Sequence, residues 1–402
     1  MTINNEHKKL NVPNLRFPEF KGEWEKCTFD EIAQYKKGPF GSALKKDIFV
    51  PQSKTAIKVY EQQNAIKKDW TLSRYYITKD YFDSHMKQFV TKAGDLIVSC
   101  AGTIGEIYEL PQEAEDGVFN QALMRVRVND KVVNKEIFIT VFSSMIDKFS
   151  KIYSNGSAIK NIPPFADLKR TQVYLPCKEE QNAITKLLRS LDERIATQSK
   201  IIEDLKKLKS AIIEKLYKGI QGTWYSYRQL FSIINERNKQ LEYSNVLSAS
   251  QERGMVSRED LNLDIHFERS NISTYKIVKN GDYVIHLRSF QGGFAFSEKT
   301  GICSPAYTVL RPNNLLVYGY LSNYFTSRDF VKSLIIVTYG IRDGRSINVD
   351  EWLDMKVVIP SKEQQTHIAN VIESIENKIK NEETYSNCLL NQKQYLLRQM
   401  FI

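Results

Sequence analysis

Three loops in this chain combine glycine, hydroxyl-bearing and basic residues. That combination lets backbone N–H groups and cationic side chains approach phosphate oxygens. Lys36-Lys37-Gly38-Pro39-Phe40-Gly41-Ser42 continues to Lys45-Lys46, and Ser154-Asn155-Gly156-Ser157 leads to Lys160. Tyr339-Gly340-Ile341-Arg342-Asp343-Gly344-Arg345-Ser346 is the third. Lys58-Val59-Tyr60-Glu61-Gln62-Gln63-Asn64 offers amides and an acid suited to reading base edges in a DNA groove, and Arg288-Ser289-Phe290-Gln291 is the nearest later candidate. The candidate DNA contacts are therefore Lys36, Lys37, Ser42, Lys45, Lys46, Lys58, Tyr60, Gln62, Gln63, Asn155, Lys160, Arg288, Ser289, Gln291, Arg342 and Arg345.

Bond-breaking chemistry finds no comparable constellation. The sequence has no Walker loop and no metalloprotease signature. Its histidines, His7, His85, His266, His286 and His367, lack metal-ligand spacing, and His286 reads as a strand histidine. Asn161-Ile162-Pro163-Pro164-Phe165 approaches an Asn-Pro-Pro-Phe loop, which holds a target amine for methyl transfer between an amide and a proline carbonyl. Ile162 splits the two, and no glycine-rich cofactor loop precedes them. No catalytic residue and no metal ligand is assigned.

Composition points the same way. The chain carries a formal net charge of +10 and a pI near 9.1, which favours a polyanionic partner. The five cysteines, Cys27, Cys100, Cys177, Cys303 and Cys388, form no CxxC pair and suggest neither zinc nor a disulfide framework. The polar N-terminus and the absence of a stretch of roughly 20 apolar residues lead to the expectation of a cytoplasmic protein without membrane contact.

Elements that position the loops come from a repeat. Leu175-Pro176-Cys177-Lys178-Glu179-Glu180-Gln181 returns as Ile359-Pro360-Ser361-Lys362-Glu363-Gln364-Gln365, a shift of 360 − 176 = 184 that holds without a gap to the C-terminus. Weaker landmarks pair Gly22-x-Trp24 with Gly222-x-Trp224, Gly94-Asp95-Leu96 with Gly281-Asp282-Tyr283, and Asn120-Gln121-Ala122 with Ser304-Pro305-Ala306. Between them the copies diverge, as expected for one scaffold carrying two recognition surfaces.

Each copy ends in a long helix. Ile184, Leu188, Leu191, Ile195, Leu205 and Ile212 in the first, and Ile368, Ile372, Ile375, Ile379, Leu389 and Leu396 in the second, keep the 3.5-residue period of a coiled-coil seam. Gln198 and Lys209 interrupt the first seam; Glu382, Ser386 and Lys393 the second. The first helix joins the two globular parts and the second ends the chain, so paired helices must run antiparallel. Ile184 to Leu216 spans about 50 Å, more than one turn of B-DNA, about 34 Å. The globular parts read as mixed α/β, with helical patterns at Lys135–Tyr153 and Tyr318–Ile336. The expected division is 1–177 and 219–361 for the domains, 178–218 and 362–402 for the helices. The expected fold is α/β (α+β), with two similar domains and two long antiparallel coiled-coil helices in pseudo-twofold arrangement.

The duplicated Pro-x-Lys-Glu-x-Gln lead, a heptad helix after each variable basic domain, Phe17-Pro18-Glu19-Phe20 and Val59-Tyr60-Glu61-Gln62-Gln63-Asn64-Ala65-Ile66 together resemble the specificity subunit of type I restriction–modification systems. The resemblance covers nearly the whole chain. It implies that each domain reads one half of an interrupted sequence in double-stranded DNA. It also implies that the paired helices set the spacer and dock two methyltransferase subunits, with restriction/translocase subunits joining later. No cofactor is then expected on this chain, and S-adenosylmethionine, ATP and Mg belong to the partners. The competing expectation is a single-chain DNA methyltransferase or nuclease with fused recognition domains. A scaffold that binds no DNA is a third.

Overall fold

The computed structural model describes residues 11–153, 164–250, 253–261, 269–286, 293–339 and 346–402. It divides into two compact units, Met1–Ala196 with Cys388–Ile402, and Thr197–Asn387. Both long helices, Lys178–Tyr217 and Lys362–Gln399, are cut by this division. The sequence division set the helices apart from the domains; packing joins their ends to the domain cores. Ile184 and Leu188 lie in the same apolar cluster as Phe29, Phe138 and Phe142, together with Leu396 and Met400. In the second unit Ile368 and Ile372 share a cluster with Trp352, Tyr227 and Ile213.

In the first unit a four-stranded antiparallel sheet has the order Ala33–Lys37, Leu123–Val128, Leu96–Ser99, Ile107–Glu109. The second unit repeats that order with Phe231–Ile234, Thr308–Pro312, Tyr283–Ile285 and Phe294–Phe296. Register is preserved: Leu96 faces Val126, and Tyr283 faces Leu310. The aspartates of the two Gly-Asp turns are buried and make the same bonds. Asp95 accepts two hydrogen bonds from Arg127 at 2.7 and 3.0 Å, and Asp282 accepts two from Arg311 at 2.9 Å.

The repeated glutamine explains why the lead sequence recurs. Buried Gln181 donates to the carbonyls of Val132 and Pro176, and its oxygen accepts from the Asn134 N–H. Gln365 does the same with Leu315, Pro360 and Val317. A side-chain amide has both donor and acceptor, so one residue can tie a helix start to the loop beyond the last sheet strand.

Two sequence expectations are corrected. Trp24 and Trp224 are not equivalent: Glu25 pairs with Leu175 and Thr223 with Ile359, so Trp224 occupies the place of Lys26. Trp24 is buried against Phe401 and Glu180, whereas Trp224 is 65% exposed. Lys135–Tyr153 is one helix, but the later pattern breaks into Tyr320–Tyr324, Arg328–Ser333 and a 3-10 turn Leu334–Val337. Ser327 causes the break, because its hydroxyl caps a new helix by accepting from the Phe330 N–H.

Gln198, Lys209, Glu382 and Lys393, which interrupt the helix seams, are partnered across them, and the partners run in opposite directions. In the second unit Gln198 donates to Glu382, and Lys209 pairs with Glu376 at 2.6 Å. In the first unit Lys393 pairs with Asp192. Since 209 + 184 = 393 and 192 + 184 = 376, these two ion pairs are copies of one contact. Of the seam residues, Leu191, Ile379 and Leu389 are buried, while Ile195, Leu205, Ile212 and Ile375 are half-buried.

Candidate nucleic-acid interface

The loop Lys36–Lys46 leaves the edge strand of the first unit's four-stranded sheet. Its frame is fixed at several points. The Gly38 N–H donates to the Leu123 carbonyl at 2.9 Å, and a Cβ on Gly38 would lie 2.0 Å from the Asn120 carbonyl oxygen. Only glycine fits so close to a neighbouring backbone. Pro39 and Leu44 are buried, and the Tyr81 hydroxyl donates to the Ala43 carbonyl at 2.7 Å. On this frame Lys37, Ser42, Lys45 and Lys46 are exposed. Lys36 donates to Gln88 at 2.7 Å and lies over the Phe89 ring at 5.0 Å.

A groove of about 810 Å³ runs beside the loop. Gln88, Gln121, Phe89 and Phe165 help to line it, together with Tyr35. The Tyr35 hydroxyl is buried with no hydrogen-bond partner among the described residues, and burial pushes its pKa up. Gln88 and Gln121 are amide groups suited to base edges. Sequence reasoning missed them because they come from segments far from the glycine loop; Gln121 stands next to the Asn120 carbonyl that receives Gly38, a relation visible only after folding.

Three earlier candidates are withdrawn from this surface. Lys58 is 1% exposed; its ammonium donates to the Trp70 carbonyl and pairs with Glu115 at 3.0 Å. Tyr60 is fully buried and donates to the Glu115 carbonyl, and its pKa is raised by burial first and by the nearby acids second. Gln62 is half-buried and donates to the carbonyls of Ala101 and Thr103. For Lys58 and Tyr60 the reason is topological. Ile57–Tyr60 is an inner strand, flanked by Tyr75–Ile77 and, in parallel, by Gly117–Phe119. Asn64 then caps the following helix and bonds Asp69 and Leu72. Gln63 alone of that run is exposed. Asn155, Lys160, Arg288, Ser289, Gln291, Arg342 and Arg345 lie outside the described residues, as does Asn161.

Among the described residues no group of acids, histidines and cysteines is placed to hold a metal ion. No helix among them is long and apolar enough to cross a membrane.

Comparison with known proteins agrees with this architecture. Residues 21–207 match the type I restriction modification DNA specificity domain. The specificity subunit of the type I restriction enzyme MjaVIII from Methanocaldococcus jannaschii is 23% identical, over 91% of this chain and 88% of the relative. A chain from a solved structure of type I restriction–modification complex assembly superposes with a TM-score of 0.61 at 14% identity, over 94% of this chain and 97% of that one. That likeness establishes the fold. The S subunit of a type I restriction–modification system from M. genitalium matches at TM-score 0.49 and 16% identity, over 97% of this chain and 99% of that one. Residues 21–207 thus match a type I restriction modification DNA specificity domain, and the relative that aligns with most of the chain is a type I specificity subunit.

Proposed function

We propose that this chain is the DNA sequence-recognition subunit of a type I restriction–modification complex, each unit reading one half of a bipartite target. The observation that carries the reading is the repeat of one sheet, with the same strand order and the same Asp–Arg and glutamine bonds, beneath two differing second layers. Paired helices of fixed length then set the spacer and dock two methyltransferase subunits. The chain itself is non-catalytic, and S-adenosylmethionine, ATP and Mg act on the methyltransferase and restriction/translocase subunits, in the cytoplasm. A single-chain methyltransferase or nuclease is the weaker reading, because the family match is to a specificity domain.

The test is methylation and DNA binding by the chain with and without methyltransferase subunits. Sequence-specific methylation is expected only with them, and methyl transfer by the isolated chain overturns the reading. Exchange of residues 20–175 for a relative's domain is expected to change one half-site only. Within the first unit, Lys37→Ala, Lys45→Ala and Lys46→Ala are each expected to weaken binding to all sequences alike and lower the salt slope by about one.

A further inference from the structure

We propose that Phe40 is an apolar wedge that inserts at a base step of the DNA half-site read by the first unit. The inference rests on the DNA-recognition reading and adds the residue that deforms the duplex. Phe40 is 89% exposed, the most exposed large hydrophobic among the described residues. Leaving such a ring in water forgoes the free energy of burying it, so its position calls for a partner.

The ring is held out by a rigid frame. Before it, Gly38 is pressed against Asn120 and Pro39 is buried; after it, the Ala43 N–H donates to the Phe40 carbonyl at 2.9 Å, and Ala43 is tied to Tyr81. A pre-ordered wedge enters a base stack without a large ordering cost.

The surroundings select the partner. From Gln34 to Lys46 the chain has four lysines and no acid. Lys37 precedes the ring and Lys45 and Lys46 follow it, all exposed. An apolar protein partner does not require that ring of charge, whereas phosphates on both sides of an opened step do. The adjoining groove supplies Gln88 and Gln121 to the base edges that a wedge exposes.

The second unit repeats the device with different residues. The loop after its equivalent edge strand presents Leu241, 58% exposed, at φ 56°, in the left-handed region. Buried Asn238 anchors that loop by exchanging hydrogen bonds with the Tyr243 backbone. A leucine held in that conformation without burial is strain with no packing return.

The experiment uses the complex with its methyltransferase subunits. Sequencing of methylated DNA from cells that express it gives the target. 2-Aminopurine is then placed at each non-methylated position of both half-sites. Wild type is expected to brighten the probe at one step of one half-site, by unstacking. Phe40→Ala is expected to abolish that signal and weaken binding roughly tenfold or more, while Phe40→Trp retains it. Lys37→Ala is expected to weaken binding but keep the signal. If wild type shows no sequence-specific methylation or binding, the DNA-recognition reading fails. If wild type binds its target and Phe40→Ala binds and brightens equally, the wedge alone fails. Loss of methyltransferase-subunit assembly by Phe40→Ala, with DNA contacts unchanged, also overturns it and assigns the ring to a protein contact. Exposure of the ring leaves folding intact, which an unchanged melting temperature of the variant verifies.

Discussion

The two units share their inner sheet and differ in what is laid on it. In the first, a second four-stranded sheet orders Tyr75–Ile77, Ile57–Tyr60, Gly117–Phe119 and Val90–Thr91, with one parallel pair. In the second, the corresponding layer consists of two-stranded pieces, Leu247–Ser250 with Gly254–Ser257 and Lys276–Val278 with Gly301–Cys303. The shared part is fixed by buried polar groups whose partners are mostly backbone atoms. Such bonds demand a particular side chain whatever surrounds it, so they survive divergence. The variable part is held onto that sheet by apolar clusters, with Tyr60 and Phe119 in one unit and Leu247, Val278 and Cys303 in the other. Apolar packing tolerates exchange if volume is kept.

That difference can be broken experimentally at the glutamines. Gln181→Ala and Gln365→Ala each strand two carbonyls and one N–H inside the protein, and each is expected to cost about 3 kcal/mol. Urea unfolding of the two variants measures this. Equal losses support one scaffold used twice; a loss in only one unit breaks the equivalence. Arg127→Ala and Arg311→Ala come next. Each leaves a buried aspartate without its cation, but the arginines are about one-third exposed, at 34% and 33%, so water offsets part of the penalty. About 2 kcal/mol is expected for each, read in the same unfolding assay.

Leu241→Gly sharpens the comparison of the two loops. Glycine removes the strain at φ 56°, so stability is expected to stay level or rise by about 1 kcal/mol. Binding of the second half-site is expected to weaken, measured against an unchanged first half-site. Weakened folding in place of weakened binding makes Leu241 structural.

Much of the scaffold was legible in the sequence because its bonds are local in register. The 184-residue shift located Gln181 and Gln365 and matched Lys209 with Lys393, and the Gly-Asp turns matched at a shift of 281 − 94 = 187; the acids that pair with the two lysines emerged only from the fold. The site was legible only as the Lys36–Lys46 loop. Lys58 and Tyr60 failed because residue type does not show whether a strand is inner or edge, and Lys58 finds Glu115 from a distant turn; Gln62 failed because it opens a helix whose fold turns its amide onto the carbonyls of Ala101 and Thr103. The Trp24–Trp224 pairing failed through a two-residue register shift, which keeps the same strand face and so leaves the sequence pattern looking right.

The helix seam offers smaller effects. Lys209→Ala and Lys393→Ala remove equivalent, partly exposed ion pairs, so each is expected to cost under about 1 kcal/mol and less at high salt. Thermal unfolding at low and high ionic strength tests the equality.

The smallest effect is a pH response confined to one half of the seam. Lys378 first, and Gln198 second, hold the Glu382 carboxyl below its usual value of 4.5. A depressed folded-state pKa means that the stabilisation is fully present above the unfolded value and is lost as pH falls through the folded one. Between pH 7 and pH 5 nothing is expected to change. Below about 4.5 the Gln198–Glu382 link in the second unit is expected to weaken, in addition to any general acid effect. The position matching Gln198 by direct repeat is Glu382 itself, so this link joins two copies of one site by different side chains, and Glu382→Gln keeps an amide partner while removing the titration. Wild type is therefore expected to be slightly more stable than Glu382→Gln at pH 7, and the difference to shrink as pH falls below about 4.5. Parallel curves through that range assign the acid sensitivity of the helix pair to other groups.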